Sequence, residues 1–415
     1  MGKVPKTEAM DEHKKTPLHL AVRKGYTSIV DLLLRKLASI EVSNKYNNTP
    51  LHVAALNGYT SIVELLLEKG IPIGAMGKYN DTPLHLAIRN GDTDMVELLL
   101  TKGASIVATD KDKDTPLHLA IWNGDAGMVE LLLTKGASIE ATDKDNNTPL
   151  QLSIQNGDTR MVGLLLTKGA SVEATDRGGN SPLHLAVRNG DTGIVELLLG
   201  KGVSTEAMDD SCDTPLHLAA WKGYTSIVER ILGEGALAEA TDAQNNTPLH
   251  LAALRGHTSV AVLLLKKGAL TEAINDRNRT PLHLASWNGH TSIVELLLES
   301  GASITAVNEY NYTPLHYGAQ GGHISVVKLL LANGASIEAM DKDNDTPLHL
   351  AASFGRINIV ELLLAKGASI NIVNNTPLHH AAWKGHASTV ELLLKKGASI
   401  KAMNREIITL PYILQ

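Results

Sequence analysis

The apolar positions of this chain fall into two short clusters that recur together. Leu18, Leu20, Ala21 and Val22 are followed, after a break at Gly25-Tyr26-Thr27, by Ile29, Val30, Leu32, Leu33 and Leu34. The pair returns at Leu51 to Ala55 with Ile62 to Leu67, and again at Leu84 to Ile88 with Met95 to Leu100. Each first cluster opens on Thr-Pro, a helix start: the hydroxyl caps a free N–H of the first turn, and proline gives up a bond that this turn never had. Counting the motif Thr as position 0, a glycine at +9 stops that helix. Ile-Val-Glu-Leu-Leu-Leu at +13 to +18 reads as a second helix with a wide apolar face and its Glu turned outward, ended by a second glycine at +21. The polar stretch that follows, for example Ala141-Thr142-Asp143-Lys144-Asp145-Asn146-Asn147, has the composition of a turn and predicts a projecting, hairpin-like finger. The pattern is thus helix, turn, helix, finger.

Twelve such units begin at residues 16, 49, 82, 115, 148, 181, 214, 247, 280, 313, 346 and 376, spaced 33 apart except for a last interval of 30. The start motif is altered to Ser181-Pro182-Leu183-His184 in one unit and to Thr148-Pro149-Leu150-Gln151 in another. Of the 15 prolines 12 are in phase with this period, and of the 35 glycines 23, which leaves little room for a separate domain. The organisation expected is a lead-in at 1–15, an array at 16–408 and the start of a thirteenth unit at 409–415. Each unit offers about eight large aliphatics at roughly 2 kcal/mol each, against an ordering cost of roughly 1.5 kcal/mol for each of its residues. No unit can stand alone, and its helices are too short to persist in isolation, so stacking on neighbours must supply the stability.

Twelve phased units whose typical start reads Thr-Pro-Leu-His-Leu-Ala-Ala are similar to the ankyrin-repeat family, over about 95% of the chain. The resemblance implies an all-α solenoid of stacked helix-turn-helix units with projecting β-hairpin-like loops. First helices would line a concave groove beside the fingers and second helices the convex back. It also implies protein recognition rather than chemistry.

Composition narrows the class. Apolar residues make up 43% but aromatics only 3%, with one Phe, so the core must be aliphatic. Lys plus Arg is 38 against Asp plus Glu 44, a formal charge of -6, which argues against nucleic acid or an anionic membrane as partner. One cysteine, Cys212, allows no internal disulfide and points to the cytoplasm, or the nucleus. Met1 to Lys15 lacks the apolar core of a signal peptide, and Lys6 stands where a myristoylation signal needs Ser or Thr. No phosphate loop, nucleophile elbow, zinc cysteine cluster or helical His-Glu-x-x-His occurs, so neither catalysis nor a cofactor is expected.

Eleven of the 17 histidines are the fourth motif residue, among them His19, His52, His85, His217 and His379. A ladder with one imidazole per stacked unit cannot converge on a metal ion, so each is expected to bond its capping Thr and the neighbouring loop backbone, a role Gln151 can fill with its amide. Position +7 reads Arg23, Leu56, Arg89, Trp122, Gln155, Arg188, Trp221, Leu254, Trp287, Gln320, Ser353 and Trp383, and it holds all four tryptophans. A core position would not alternate Arg, Gln, Ser and Trp, so +7 is expected to face solvent, with the indoles as binding anchors. The other reading lays each indole flat over a neighbouring helix end. At +8, units two to six carry Asn57, Asn90, Asn123, Asn156 and Asn189, whereas Lys222, Arg255, Asn288 and Lys384 follow in the later half.

The candidate partner-binding residues are therefore Trp122, Arg188, Trp221, Lys222, Leu254, Arg255, Trp287, Asn288, Tyr310, Tyr312, Trp383 and Lys384. An extended apolar and acidic protein segment across units seven to twelve is the expected ligand. A substrate-recruiting subunit for an enzyme on another chain, or a rod associating end to end, are the alternatives. Tyr46, Tyr79 and Tyr310 share a finger position and offer contacts, while the finger charges read as a solvated edge. Three departures predict local change: Leu37 in place of the +21 glycine, a weak joint at Tyr317-Gly318, and a stubby finger at 371–375.

Overall fold

A computed structural model describes residues 9–36, 41–372 and 376–401 of the protein. Leu37, Asn374, Asn375 and the start of a thirteenth unit at Thr409 lie outside the described residues, so the expectations placed on them go without a structural account. Twenty-four helices are described, two per unit, from Pro17–Arg23 and Thr27–Arg35 in the first to Pro377–Trp383 and Ala387–Lys395 in the twelfth. They gather into two compact bodies, Met1–Val203 and Ser204–Gln415, each holding six helix pairs. Within each body, first helices pack on the first helices of adjacent units, and second helices on second helices.

The first helices of units one to eleven start in reciprocal capping boxes in which, except at Gln151, the motif His takes the place usually held by Glu or Gln. In unit one Thr16 Oγ1 accepts from the His19 N–H at 3.4 Å, while His19 Nδ1 accepts from the Thr16 N–H at 3.2 Å. Because Nδ1 accepts, the ring proton sits on Nε2, which donates to the carbonyl of Asn48 in the next unit at 3.0 Å. His52 reaches Asp81, His250 reaches Arg279 and His283 reaches Tyr312 in the same way, at 2.9 to 3.0 Å. Gln151 repeats the geometry: its Oε1 accepts from Thr148 N–H at 2.8 Å and its Nε2 donates to Asn180 O at 3.1 Å. An amide can be arranged in only this sense, which fixes the tautomer of the histidines around it.

The core is aliphatic throughout. Positions +2, +5, +13, +14 and +17, for example Leu51, Ala54, Ile62, Val63 and Leu66, are sealed between units. Ile29, at +13 of the first unit, is instead 46% exposed because no described unit precedes it.

The fingers are tight turns, and no strand occurs among the described residues. At the base of one, Asp110 Oδ1 accepts from the N–H groups of Asp112 at 2.8 Å and Asp114 at 3.0 Å, and Lys113 takes a left-handed φ of 61°. Within each body one backbone bond ties a tip to the next, as from Lys111 N–H to Tyr79 O at 2.8 Å and from Lys144 N–H to Asp112 O at 2.9 Å. The loops are hairpin-like in that each closes on itself, as where Asp110 N–H donates to Asp114 O at 3.0 Å, while a single cross-link per unit is too sparse to form a ladder.

The weak joint expected in unit ten is not found. Pro314–Gly321 is an unbroken helix, and Tyr317 stands edge-on to Trp287 with ring centroids 5.2 Å apart, while its hydroxyl accepts from Asn308 Nδ2 at 2.8 Å. Gly318 follows from crowding, because a Cβ there would lie 3.2 Å from Val326 Cγ1.

Candidate functional site

Position +7 closes the first helix and faces the base of the unit's own finger, at position -1. Three units of the first body show the contact. Arg89 binds Asp81 and also Asp110 of the next finger, the latter at 2.7 Å; Gln155 Nε2 donates to Asn147 Oδ1 at 2.9 Å; Arg188 donates to Asn180 Oδ1. Helix ends and finger bases therefore share one polar surface. Trp122, Trp221, Trp287 and Trp383 are 51%, 36%, 40% and 73% exposed on it, so none is sealed between layers.

The candidate residues divide between the bodies. Trp122 and Arg188 lie in the first, both exposed, and Arg188 donates to Asn180 Oδ1. The other ten lie in the second. There Arg255 places its guanidinium 4.5 Å from the centre of the Trp221 ring. Trp287, Tyr310 and Tyr312 are linked through Tyr317: Tyr312 is 5.6 Å from Tyr317 and 6.3 Å from Tyr310. Burial, with Asp341 and Asp345 nearby, pushes the Tyr312 hydroxyl up to about 12. Lys222, Trp383 and Lys384 are exposed, Leu254 is half-buried, and Asn288 donates to its own helix at Leu284 O. At the tips, lysines cover tyrosines, Lys45 over Tyr46 at 4.9 Å and Lys78 over Tyr79 at 5.1 Å, and Asp112 bridges Lys111 and Lys144 at 2.6 and 2.8 Å.

In units four and seven the residue at -1 is an aspartate, Asp114 or Asp213, and the +7 residue is a tryptophan. Burial, reinforced by Asp110 and Asp143, pushes Asp114 up to about 6; burial, with Asp209 and Asp242, does the same to Asp213. Five other units carry Asn at -1, so Asp114→Asn should fold. A folded-state pKa raised above the unfolded value costs stability at pH 7 and nothing below about 3.8. Asp114→Asn is expected to stabilise by about 1 kcal/mol at pH 7 after solvent screening, with the gain gone at pH 3.5. Urea unfolding at the two pH values checks this.

The sequence reading missed position +10. In the first body Asp92, Asp125, Asp158 and Asp191 cap the second helices, Asp92 Oδ1 accepting from Met95 N–H at 3.0 Å. In the second body His257, His290 and His323 stand there and donate Nε2–H backwards to the +7 carbonyls of Trp221, Leu254 and Trp287, at 3.0, 3.1 and 2.9 Å. His386 and the Nε of Arg356 do likewise to Ser353 and Gln320. This tie replaces another, since in the first body Asn123 and Asn189 reach back from +8 to Ile88 O and Ile154 O at 2.6 and 2.8 Å. Moving the link to +10 frees +8 for Arg255 and Lys384. The shared register of these histidines was visible in the sequence, but their partners lie 33 to 36 residues away.

Among the described residues no group of three or more His, Cys, Asp or Glu gathers as a metal would need, and no helix is long and apolar enough to cross a membrane. Cys212 is exposed at a finger's left-handed position, with φ of 59°.

Stacked helix pairs joined by turns define a repeat protein built for surface presentation. The family profile "Ankyrin repeats (3 copies)" matches residues 4–76, 73–143, 136–209, 216–308, 271–341 and 315–404, and the chain belongs to the ankyrin-repeat family. Among solved structures it is similar to the ankyrin repeat domain of Bcl-3, described as a unique member of the IkappaB protein family: 32% identity over 54% of this chain and 100% of that one, with a TM-score of 0.50. It is also similar to the human ASB11 ankyrin repeat domain, at 30% identity over 49% of this chain and 92% of that one, with a TM-score of 0.47. A search of curated proteins found no significant match. Repeats of this family are protein–protein interaction modules.

Proposed function

We propose that the chain is a non-catalytic scaffold whose second body binds an extended protein segment rich in apolar and acidic side chains. The observation that carries this reading is the exposure of Trp221, Trp287 and Trp383 in one register, where the preceding helical positions are buried. Burying an exposed indole against a partner contributes more than almost any other residue. Lys222, Arg255 and Lys384 at the adjacent position favour carboxylates in the same segment, chiefly through association rate and orientation.

The test begins with a displayed library of extended peptides selected against the wild-type protein. Selected sequences should be enriched in aromatic, aliphatic and acidic residues. Alanine at Trp221, Trp287 and Trp383 together should weaken them about 100-fold or more, at about 1 to 2 kcal/mol for each anchor. Melting curves of the triple variant control for the ring contact between Trp287 and Tyr317. Undiminished affinity in a folded triple variant would remove the site.

A further inference from the structure

Trp122 and Trp221 occupy equivalent positions and each follows an aspartate at -1, Asp114 or Asp213. Their surroundings differ in what covers the ring. The second body covers Trp221 with Arg255, the +8 residue of the following unit, whose guanidinium lies 4.5 Å from the ring centre. The +8 residue after Trp122 is Asn156, whose Nδ2 points instead to the Ile121 carbonyl at 3.5 Å. The indole of Trp122 is accordingly the more exposed, 51% against 36%.

The other half of the surface also has an internal precedent. One unit earlier, the guanidinium of Arg89 at +7 binds Asp81 at -1, so the two positions face each other within hydrogen-bonding distance. In unit four a neutral indole replaces that cation, and the carboxylate of Asp114 is left beside Asp110, Asp112 and Asp143. The neighbouring cation Arg89 is already committed to Asp81 and Asp110. Two elements that the chain elsewhere satisfies with its own arginines, an indole face and a carboxylate, here occupy facing registers, the indole exposed and the carboxylate half-buried.

We infer that Trp122 and Asp114 form a docking notch for an arginine side chain of a partner protein, its guanidinium lying over the indole and paired with the carboxylate. The charge is complementary, and the geometry combines the stacking of Arg255 on Trp221 with the pairing of Arg89 to Asp81. A planar guanidinium suits both contacts at once, since it can stack on a ring while donating in its own plane. The inference rests on the reading of the chain as a protein-binding scaffold, but it uses the first body and a basic rather than an acidic ligand.

The test follows the indole N–H signals of the uniformly 15N-labelled full chain by NMR, with Trp122→Phe assigning the relevant one. Titration with N-acetyl-arginine amide should shift the Trp122 signal saturably. N-acetyl-citrulline amide, of the same shape but neutral, should bind at least about fivefold more weakly. Asp114→Asn, a residue that other units carry at this position, should weaken the arginine probe by a similar factor. Asn156→Arg should abolish the response by filling the notch from within, while Arg255→Asn should open Trp221 to the probe. Equal shifts with arginine and citrulline, or an undiminished response in Asp114→Asn, would overturn the proposal. That failure would leave the tryptophans of the second body untouched, and loss of their role would leave this titration unchanged, so the two readings fail separately.

Discussion

Acidification from pH 7 to pH 4 is expected to lower the stability of this protein steeply, with His250, His283 and His316 carrying much of the loss. Burial pulls each of these imidazoles down from 6.5 to about 4, and it lowers His52, His85, His118 and His217 as well. The sign is set by which state takes up protons. Above pH 6.5 the ring is neutral in both states and costs nothing. Between 6.5 and about 4 the unfolded chain is protonated and the folded one is not, so stability falls throughout this window and levels off below it. The shift of His250, His283 and His316 corresponds to a loss on the order of 3 kcal/mol each by pH 4. Asp114 and Asp213, which gain protons on the folded side as pH drops below about 6, offset part of this. Gln151 supplies the control, because it makes the same two bonds without titrating. The triple variant His250→Gln, His283→Gln, His316→Gln should keep wild-type stability near pH 7 and lose several kcal/mol less than wild type on descent to pH 4.5. Urea midpoints at the two pH values measure the difference. A slope identical to wild type would mean that these histidines are not the acid-sensitive groups.

Gly289→Ala should destabilise the second body far more than Gly124→Ala destabilises the first, although both glycines occupy +9 with a left-handed backbone. Gly289 has φ of 77° and Gly124 of 68°, so an added Cβ costs each about 1 to 2 kcal/mol in backbone strain. At Gly124 nothing lies within 4 Å of the new carbon, whereas at Gly289 it runs into the imidazole of His323. That ring cannot give way without breaking its 2.9 Å bond to Trp287 O, so a further 1 to 3 kcal/mol or so of overpacking is expected. In a His323→Ala background this extra cost should disappear and the two glycine variants should match. Denaturant titration of the single and double variants isolates the coupling. Equal losses for Gly289→Ala and Gly124→Ala in the wild-type background would show that the close approach carries no energy. The same contact recurs at Gly223 with His257 and at Gly256 with His290, so the glycine at +9 serves two separate demands at these positions and one at Gly91, Gly124 and Gly157.

How far the surface was legible in the sequence depends on the distance each argument had to span. Exposure of the +7 tryptophans followed from the polar residues sharing their register, and the coordinates place all four rings in solvent. Which of them the chain itself covers did not follow, because Arg255 lies on Trp221 from the following unit and Tyr317 approaches Trp287 from the next helix. Nor did the bond from exposed Arg188 to Asn180, eight positions back, which is set by the orientation of the finger base rather than by helical periodicity.

By itself, the sequence determined the unit: Thr-Pro starts, glycine stops, the aliphatic positions that must be sealed, and a histidine whose two nitrogens serve a cap and a neighbour. These are local consequences of backbone stereochemistry and burial, repeated until chance is excluded. Only the tertiary structure decided how adjacent units are latched, by Asn at +8 in one body and by His at +10 in the other, and which indoles are left bare. Those outcomes depend on side chains about one repeat apart meeting across a stacked interface, and a repeat pattern brings such residues into register without saying which of them touch.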